Sequence, residues 1–189
     1  MKKIFTILAL TIGFSMNAQM DDNSNGCSAT GTYSVAMGKN TVASGSYTTA
    51  SGGYSTASGN YSTAGGYFST ASGSYSTAMG KDTEASGSYS TAMGRNTTAS
   101  ESYSTAMGRN TVASGSYSTA IGRDATASGT YSIAMGSNTT ASGSSSTAMG
   151  SVTTASDYGS LVIGQYNSSG STVTSDATSF NIANTAFVI

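Results

Sequence analysis

A seven-residue pattern of polar, small and apolar positions runs through most of the chain. Blocks of seven counted from Asn25 repeat twenty times, ending at Gly164, without insertion or deletion. The third place is nearly always Ser or Thr, the fifth is Ala in all blocks but the last, and the seventh is usually Gly. Alternation over about five residues followed by a glycine is typical of a short β-strand and a turn. The pattern therefore predicts strands, with glycine at the corners between them.

Two kinds of block alternate, so the true period is fourteen residues. The Met block, as in Ser74–Gly80, has Tyr second and usually Met sixth, whereas the Ser block, as in Lys81–Gly87, has Asn or Asp second and Ser sixth. Each pair of blocks predicts one coil of two strands, and ten coils at the ordinary strand spacing predict a rod about 48 Å long. A coiled coil is excluded, because the recurrent glycines disfavour a helix and no paired large apolar positions exist.

Alternation also predicts which side chains face inward. The third and fifth places share the inside of the coil, where only small side chains fit between two closely spaced sheets. The sixth place faces outward, and it is apolar in most Met blocks and Ser in most Ser blocks. The charged residues from Lys39 to Glu101 all fall in Ser blocks. We therefore expect one apolar, charge-free flank and a wet flank opposite it.

Composition gives this asymmetry a consequence. Charged residues make up 8% of the chain, against about 25% in an ordinary globular protein. An Ala-filled interior buries little apolar area, and an apolar strip on one flank would be left exposed. Both problems are solved if several copies pack their strips on a common axis, which predicts a homo-oligomer with closed rotational symmetry. The residues expected at that axis are Val35, Met37, Met79, Met93, Met107, Ile121, Ile133, Met135, Met149, Leu161 and Ile163.

The two ends of the chain depart from the repeat. Residues 1–19 have a short basic start and an apolar run, Ile4–Phe14, which predicts a signal peptide cleaved near Ala18 and hence export. Residues 20–24 are a short leader, the β-roll is expected over 25–164, and 165–189 are expected to be a connector with an apolar cap or the start of a further domain. The single cysteine, Cys27, allows no intrachain disulfide and is expected to be a buried thiol rather than an interchain link.

No constellation for catalysis is present in the sequence. Histidine is absent, the carboxylates are scattered, and the glycines recur as corners rather than as a phosphate loop, so we expect no enzyme activity, no cofactor and no metal site. The small net charge of −1 gives no case for nucleic acid as a partner.

Two rows of surface residues are candidates for binding. Lys81, Arg95, Arg109 and Arg123 share one register and form either a ligand surface for acidic glycans or matrix protein, or a solubilising edge beside Asp82, Glu84 and Asp124. A row of tyrosines, which we expect to stack along the coils or to pack between subunits, could otherwise offer a surface for sugars. Its members are Tyr33, Tyr47, Tyr54, Tyr61, Tyr75, Tyr89, Tyr103, Tyr117 and Tyr131. The Thr and Ser rows are less regular than an ice-binding face requires.

The strand motif resembles that of a known family. Ser34–Gly38 reads Ser-Val-Ala-Met-Gly, and with its copies at Ser132–Gly136 and Ser160–Gly164 it resembles the head repeat of trimeric autotransporter adhesins, the YadA-like head. The resemblance covers 25–164 and implies an all-β, left-handed parallel β-roll, or β-solenoid, with three chains around the apolar strip. It also implies a cell-surface, outer membrane-associated or extracellular adhesin that attaches to extracellular matrix or other cells. Similar repeats occur in tail-like fibres, so a structural rod without its own ligand is the alternative.

Overall fold

The protein is a stack of parallel strands. A computed structural model describes residues 26–167, and within that range eighteen strands and no helix are present. One ladder is built mainly from five-residue strands, and we call it the long-strand ladder. It consists of β2 (Val35–Lys39), β4 (Thr49–Gly53), β6 (Thr63–Tyr67), β8 (Thr77–Ala85), β9 (Thr91–Ala99), β10 (Thr105–Arg109), β12 (Thr119–Arg123), β14 (Ile133–Ser137), β16 (Thr147–Ser151) and β18 (Leu161–Gln165).

A second ladder, the short-strand ladder, completes each coil. Its two-residue strands are β1 (Ser28–Ala29), β3 (Val42–Ala43), β5 (Thr56–Ala57), β7 (Thr70–Ala71), β11 (Val112–Ala113), β13 (Thr126–Ala127), β15 (Thr140–Ala141) and β17 (Thr154–Ala155). In the two middle coils the C-terminal parts of β8 and β9 take the place of separate short strands, since Ala71 pairs with Ala85 and Ala99 with Ala113. These two strands therefore run continuously from one ladder to the other.

Every pairing joins a residue to its counterpart one coil along the chain. Met79 pairs with Met93, and Met107 with Ile121, in parallel register with a shift of fourteen residues. The same shift relates Thr147 to Leu161 in the last coil. The prediction of a parallel β-solenoid with ten coils of fourteen residues is therefore confirmed.

The core consists of two kinds of small residue, as the alternation predicts. The alanines of the fifth place are fully buried from Ala29 to Ala155, and Val162 is 1% exposed. The Ser and Thr residues of the third place are buried beside them, Ser76 and Thr97 among them. Because each side chain meets its own counterpart on the next rung, a larger residue would clash with its neighbours rather than fill a gap.

Some buried hydroxyl groups tie the corners to the strands. Ser34 Oγ donates a hydrogen bond to the carbonyl oxygen of Gly31 at 2.7 Å, and Ser104 Oγ does the same to Glu101 at 2.6 Å. Eleven other buried hydroxyls of this column have no hydrogen-bond partner within residues 26–167. A buried polar group without a partner costs roughly 1–3 kcal/mol. The interior is thus less stabilising than an apolar core of the same size.

One of the two corners in each coil lies elsewhere than the sequence suggests. Residues at the second place of each block, such as Tyr89 and Asn96, have φ of 58° and 52°, in the left-handed region. Asn and Asp tolerate this conformation, whereas Tyr seldom adopts it. The backbone N–H of Tyr61 donates to the carbonyl oxygen of Ser46 at 2.8 Å, so each such corner is bonded to the coil before it. The prediction that glycine stands at the corners is therefore right for Ser blocks, where the Ser90 N–H donates to the carbonyl oxygen of Gly87 across the turn at 3.2 Å, and wrong for Met blocks, whose glycines lie within the strands.

The glycines of the seventh place have two distinct structural roles. In Met blocks they lie within the long strands with positive φ, as for Gly94 at 124°, and an added Cβ would meet the carbonyl oxygen of Gly108 one coil along. Only glycine suits both conditions. In Ser blocks the seventh place is absent from the positive-φ positions. Glu101 and Asp157, the two departures from glycine, both fall in Ser blocks, where the backbone conformation suits any residue, although an added Cβ at Gly87 would also meet the carbonyl oxygen of Glu101 one coil along.

Cys27 occupies a third place in the first coil. It is 4% exposed, its Sγ donates to the carbonyl oxygen of Gly38 at 2.9 Å, and it accepts from Thr41 Oγ1 at 3.2 Å. The expectation of a buried thiol is confirmed. The predicted signal peptide of residues 1–19, the leader of 20–24 and most of the connector of 165–189 lie outside the described residues.

Candidate assembly and binding surfaces

An apolar strip follows the outward side of the long-strand ladder, and we call it the Met strip. It is formed by the sixth-place residues Met37, Met79, Met93, Met107, Ile121, Met135, Met149 and Ile163, with Val35, Ile133 and Leu161 at the fourth place beside them. The other seven fourth-place residues of this ladder are threonines. Met79 is 44% exposed and Ile133 is 37% exposed in the single chain. The strip is interrupted only at Ser51 and Gly65, in the second and third coils. From Met79 to Ile163 the strip is unbroken, and an exposed apolar surface of this extent is typical of an interaction site.

The basic residues border the Met strip. Lys81 lies within β8 two residues after Met79, and it pairs with Arg95 of β9. Arg109 and Arg123 continue the same row. We call Lys39 and these four residues the basic row. The sequence predicts these charges on the flank opposite the apolar one, and this prediction is wrong. The first residue of a Ser block, which carries the basic side chain, still belongs to the long strand.

Eight tyrosines form a single stack along the first corner, which we call the Tyr ladder. Its members are Tyr33, Tyr47, Tyr61, Tyr75, Tyr89, Tyr103, Tyr117 and Tyr131. Neighbouring ring centroids are 4.8 to 4.9 Å apart, and the central rings are parallel within 1 to 5°. The prediction that these residues stack is confirmed. Since each face is covered by the next ring, the exposed parts are the ring edges and hydroxyls, which disfavours stacking of sugars on this surface.

Tyr54 lies at the opposite corner, so the prediction that it belongs to the row of stacked tyrosines is wrong. Its ring stacks on Phe68 at 4.8 Å between centroids and meets Tyr67 edge-on at 5.7 Å. The ammonium group of Lys39 lies 5.8 Å from the centre of the Tyr54 ring. This second corner therefore begins with an aromatic cluster near the first coils.

Further along the same corner, amide side chains replace the rings. Asn96 Nδ2 donates to Asn110 Oδ1 at 3.0 Å, and Asn110 Nδ2 donates to Asp124 Oδ1 at 2.8 Å. Arg123 lies 3.6 Å from Asp124, and Lys81 lies 3.9 Å from Asp82. These groups are exposed to solvent, so such ion pairs contribute little to stability. Their effect is to give this corner a hydrated, hydrogen-bonded edge.

The outward side of the short-strand ladder is polar and almost without charge. Its fourth-place residues are Ser28, Val42, Thr56, Thr70, Glu84, Thr98, Val112, Thr126, Thr140 and Thr154. Ser residues such as Ser100 and Ser114 stand two positions further on in the same blocks. The contrast of a polar face with the Met strip, which the alternation predicts, is therefore confirmed.

No group suited to a metal ion is present within residues 26–167, where clusters of three or more His, Cys, Asp or Glu side chains do not occur. In the same stretch of chain, no helix is long and apolar enough to cross a membrane.

Sequence comparison identifies the family of this repeat. The family model described as the YadA head domain repeat matches six times, at 29–55, 43–69, 57–83, 85–111, 113–139 and 141–167. These matches span most of the chain, so the protein belongs to the YadA head repeat family. The chain is thus built of the head repeats of an adhesin-like trimeric autotransporter, a non-enzymatic, adhesive and structural class of protein. A comparison with curated proteins finds no match.

Two features of these surfaces escaped the sequence argument. The left-handed corner was signalled by Asn and Asp at the second place of Ser blocks, since both residues favour that conformation. The tyrosines at the equivalent place of Met blocks could have been assigned to a corner by the same symmetry. The hydrogen bonds of the buried hydroxyls had no sequence signal beyond the preference for Ser and Thr at the third place.

Proposed function

We propose that this chain is the head of a bacterial adhesin, exported and displayed on the cell surface or at the outer membrane, which attaches to extracellular matrix or to other cells. The observation that carries this proposal is the unlike character of its two faces. One face is the Met strip and the other consists of repeated Thr and Ser side chains. A rod with one apolar face and one polar face is suited to assembly through the first and to contact with a partner through the second.

We place three copies around the Met strip. The core of a single chain is narrow, it contains buried hydroxyls without partners, and it leaves residues such as Met37 at 42% exposure. Burying the Met strips against one another removes that apolar area from water, at roughly 25 cal/mol for each Å². Membership of a family of trimeric heads supports a count of three. The residues proposed for the trimer axis are those of the Met strip and its three fourth-place neighbours.

The polar face of the short-strand ladder then points away from the axis and is available to a partner. It presents similar side chains at every coil, spaced at about 4.8 Å. Three such faces on one rod allow many weak contacts to act together, which raises the overall affinity without any single strong site. A matrix protein or a glycan, both of which are long and repetitive, fits this arrangement. No enzymatic step is proposed.

Binding of the purified full chain to immobilised matrix proteins and glycosaminoglycans tests this function. We expect saturable binding of the original chain. The binding affinity should fall at least tenfold in the variant Ser100→Glu/Ser114→Glu, because its two carboxylates lie on the polar face. The oligomeric mass of the variant, measured by light scattering, should equal that of the original chain. A trimer that binds none of these surfaces, nor intact cells, would contradict the adhesive role and favour a structural rod.

A further inference from the structure

The two edges of the long-strand ladder carry different chemistry. In the coil of β10, Tyr103 precedes the strand by two residues and Arg109 is its last residue. Because all the strands are parallel and in register, the same order holds in the neighbouring coils. The Tyr ladder therefore runs along the starting edge of this ladder, and the basic row runs along its finishing edge, with the Met strip between them.

The positions of these two edges determine which surfaces of neighbouring subunits come into contact in a closed ring. The strands stack along the rod, so each one runs around the rod axis rather than along it. When the Met strips face a common axis, the starting edge of one subunit lies beside the finishing edge of the next. Such a head-to-tail interface is heterologous, and in a ring every subunit uses both edges.

We infer that the Tyr ladder of one subunit packs against the basic row of its neighbour and forms the seam between subunits. This inference rests on the proposed trimer and goes beyond it by naming the residues that join the chains. It also assigns Lys81, Arg95, Arg109 and Arg123 to assembly instead of ligand binding. The partner of each surface is a second copy of this chain.

The chemistry of the two edges is complementary. The ring faces of the Tyr ladder are covered by stacking, but about half of each side chain is exposed, as for Tyr89 at 49% and Tyr103 at 47%. The exposed hydroxyls can accept hydrogen bonds from guanidinium groups, and the aliphatic stems of Arg can cover the ring edges. Within residues 26–167, Arg95 and Arg109 have no acidic partner. Their charged groups are therefore free to donate across a seam.

The repeats themselves support this pairing. Every residue of the basic row occurs in a coil that also contributes a tyrosine to the Tyr ladder: Lys39 with Tyr33, Lys81 with Tyr75, Arg95 with Tyr89, Arg109 with Tyr103 and Arg123 with Tyr117. After the last two Met blocks both are absent, since Ser145 and Gly159 stand in the tyrosine positions and Ser151 and Gln165 in the basic positions. Three other tyrosines of the ladder have no basic counterpart, because Gly53, Tyr67 and Ser137 stand in the basic position. A basic residue therefore never occurs without a tyrosine at the other edge, as expected if the two edges meet across the interface.

Disulfide cross-linking of the full chain tests the seam. In a Cys27→Ser background, Tyr103→Cys is combined in turn with Arg95→Cys, Arg109→Cys or Arg123→Cys, which allows for a displacement of one coil between subunits. Six residues of strand separate Tyr103 from Arg109, or roughly 15–20 Å, whereas a disulfide needs Cα atoms within about 7 Å. A link within one chain is therefore excluded for that pair. After mild oxidation we expect at least one double variant to give covalent species of up to three chains on a non-reducing gel.

The single-cysteine variants are the matched controls. In a head-to-tail ring a Tyr edge never meets another Tyr edge, so Tyr103→Cys alone and Arg109→Cys alone should stay uncross-linked. Covalent dimers of a single variant would overturn the inference, because they require like edges to meet. An absence of links in all double variants, with a trimer mass retained under reducing conditions, would also overturn it. A monomer mass for the Cys27→Ser chain would instead contradict the proposed trimer.

Discussion

Replacing Ala113 by leucine is expected to destabilise the coil stack severely. Ala113 is fully buried in β11, with Ala99 and Ala127 in register on either side, so the larger side chain has no space to enter. Overpacking a core typically costs 1–3 kcal/mol, and here we expect about 3 kcal/mol or more because the neighbouring rungs cannot separate without breaking ladder hydrogen bonds. For a chain of this length that corresponds to a fall in Tm of about 6–12 °C.

The matched control is Val112→Leu in the same strand. Val112 points outward and is partly exposed, so a leucine there, which adds one carbon where Ala113→Leu adds three, should alter the free energy of unfolding by less than about 0.5 kcal/mol. Thermal melting followed by far-ultraviolet circular dichroism compares the two variants. Equal melting temperatures for Ala113→Leu and the original chain would refute the assignment of the fifth place to a filled interior.

Introducing carboxylates into the Met strip is expected to separate the subunits. In Met93→Glu/Met107→Glu, two rungs of the proposed axis would each bring three carboxylates together in a dry, apolar environment. Burial of unpaired like charges is strongly unfavourable. We expect the dissociation constant of the assembly to rise at least 100-fold, or about 2.7 kcal/mol. Sedimentation equilibrium at several protein concentrations measures this change.

The control for this prediction is the polar-face variant Ser100→Glu/Ser114→Glu. Its two substitutions lie at the sixth place of the Ser blocks that directly follow Met93 and Met107, so it adds the same charge on the side of the other ladder. The account predicts an unchanged mass for this variant. If both variants dissociate equally, the net charge of the chain controls assembly, and the Met strip does not form the axis of the trimer.

The periodic parts of this fold were predictable from the sequence because one rule repeats in every coil. Ala at the fifth place and Ser or Thr at the third predict which side chains face the interior. The in-phase repeat predicts that Met79 pairs with Met93, as the structure shows. The position of the corners was not predictable in the same way. Glycine is the usual corner residue, yet Gly94 lies inside the long-strand ladder and the chain turns at Asn96.

The misplaced corner explains the misplaced charges. With a corner at Gly80, Lys81 would open the short-strand ladder and lie away from Met79. The structure instead continues the strand through Gly80, whose positive φ and close approach to Gly94 no other residue tolerates. Lys81 therefore remains beside the Met strip. Only the three-dimensional path of the chain could place the basic row at one edge of the strip and the Tyr ladder at the other.

The Tyr ladder shows how a repeat can offset local strain. A tyrosine with φ near 58° is disfavoured by about 1–2 kcal/mol when it stands alone. Here Tyr75 and Tyr89 stack with centroids 4.8 Å apart, and a pair of stacked rings contributes roughly 0.5–1.5 kcal/mol beyond its buried area. Each ring in the middle of the ladder takes part in two such pairs. Stacking along the rod therefore compensates for the conformation of the corner.

Assembly of three chains around the Met strip underlies every role proposed for the surfaces of this rod. Its most direct test is the native mass of the purified, exported chain, measured by mass spectrometry or by light scattering with size-exclusion chromatography. We expect a single species with three times the mass of one chain over a wide range of concentrations. A stable, folded monomer under the same conditions would contradict it.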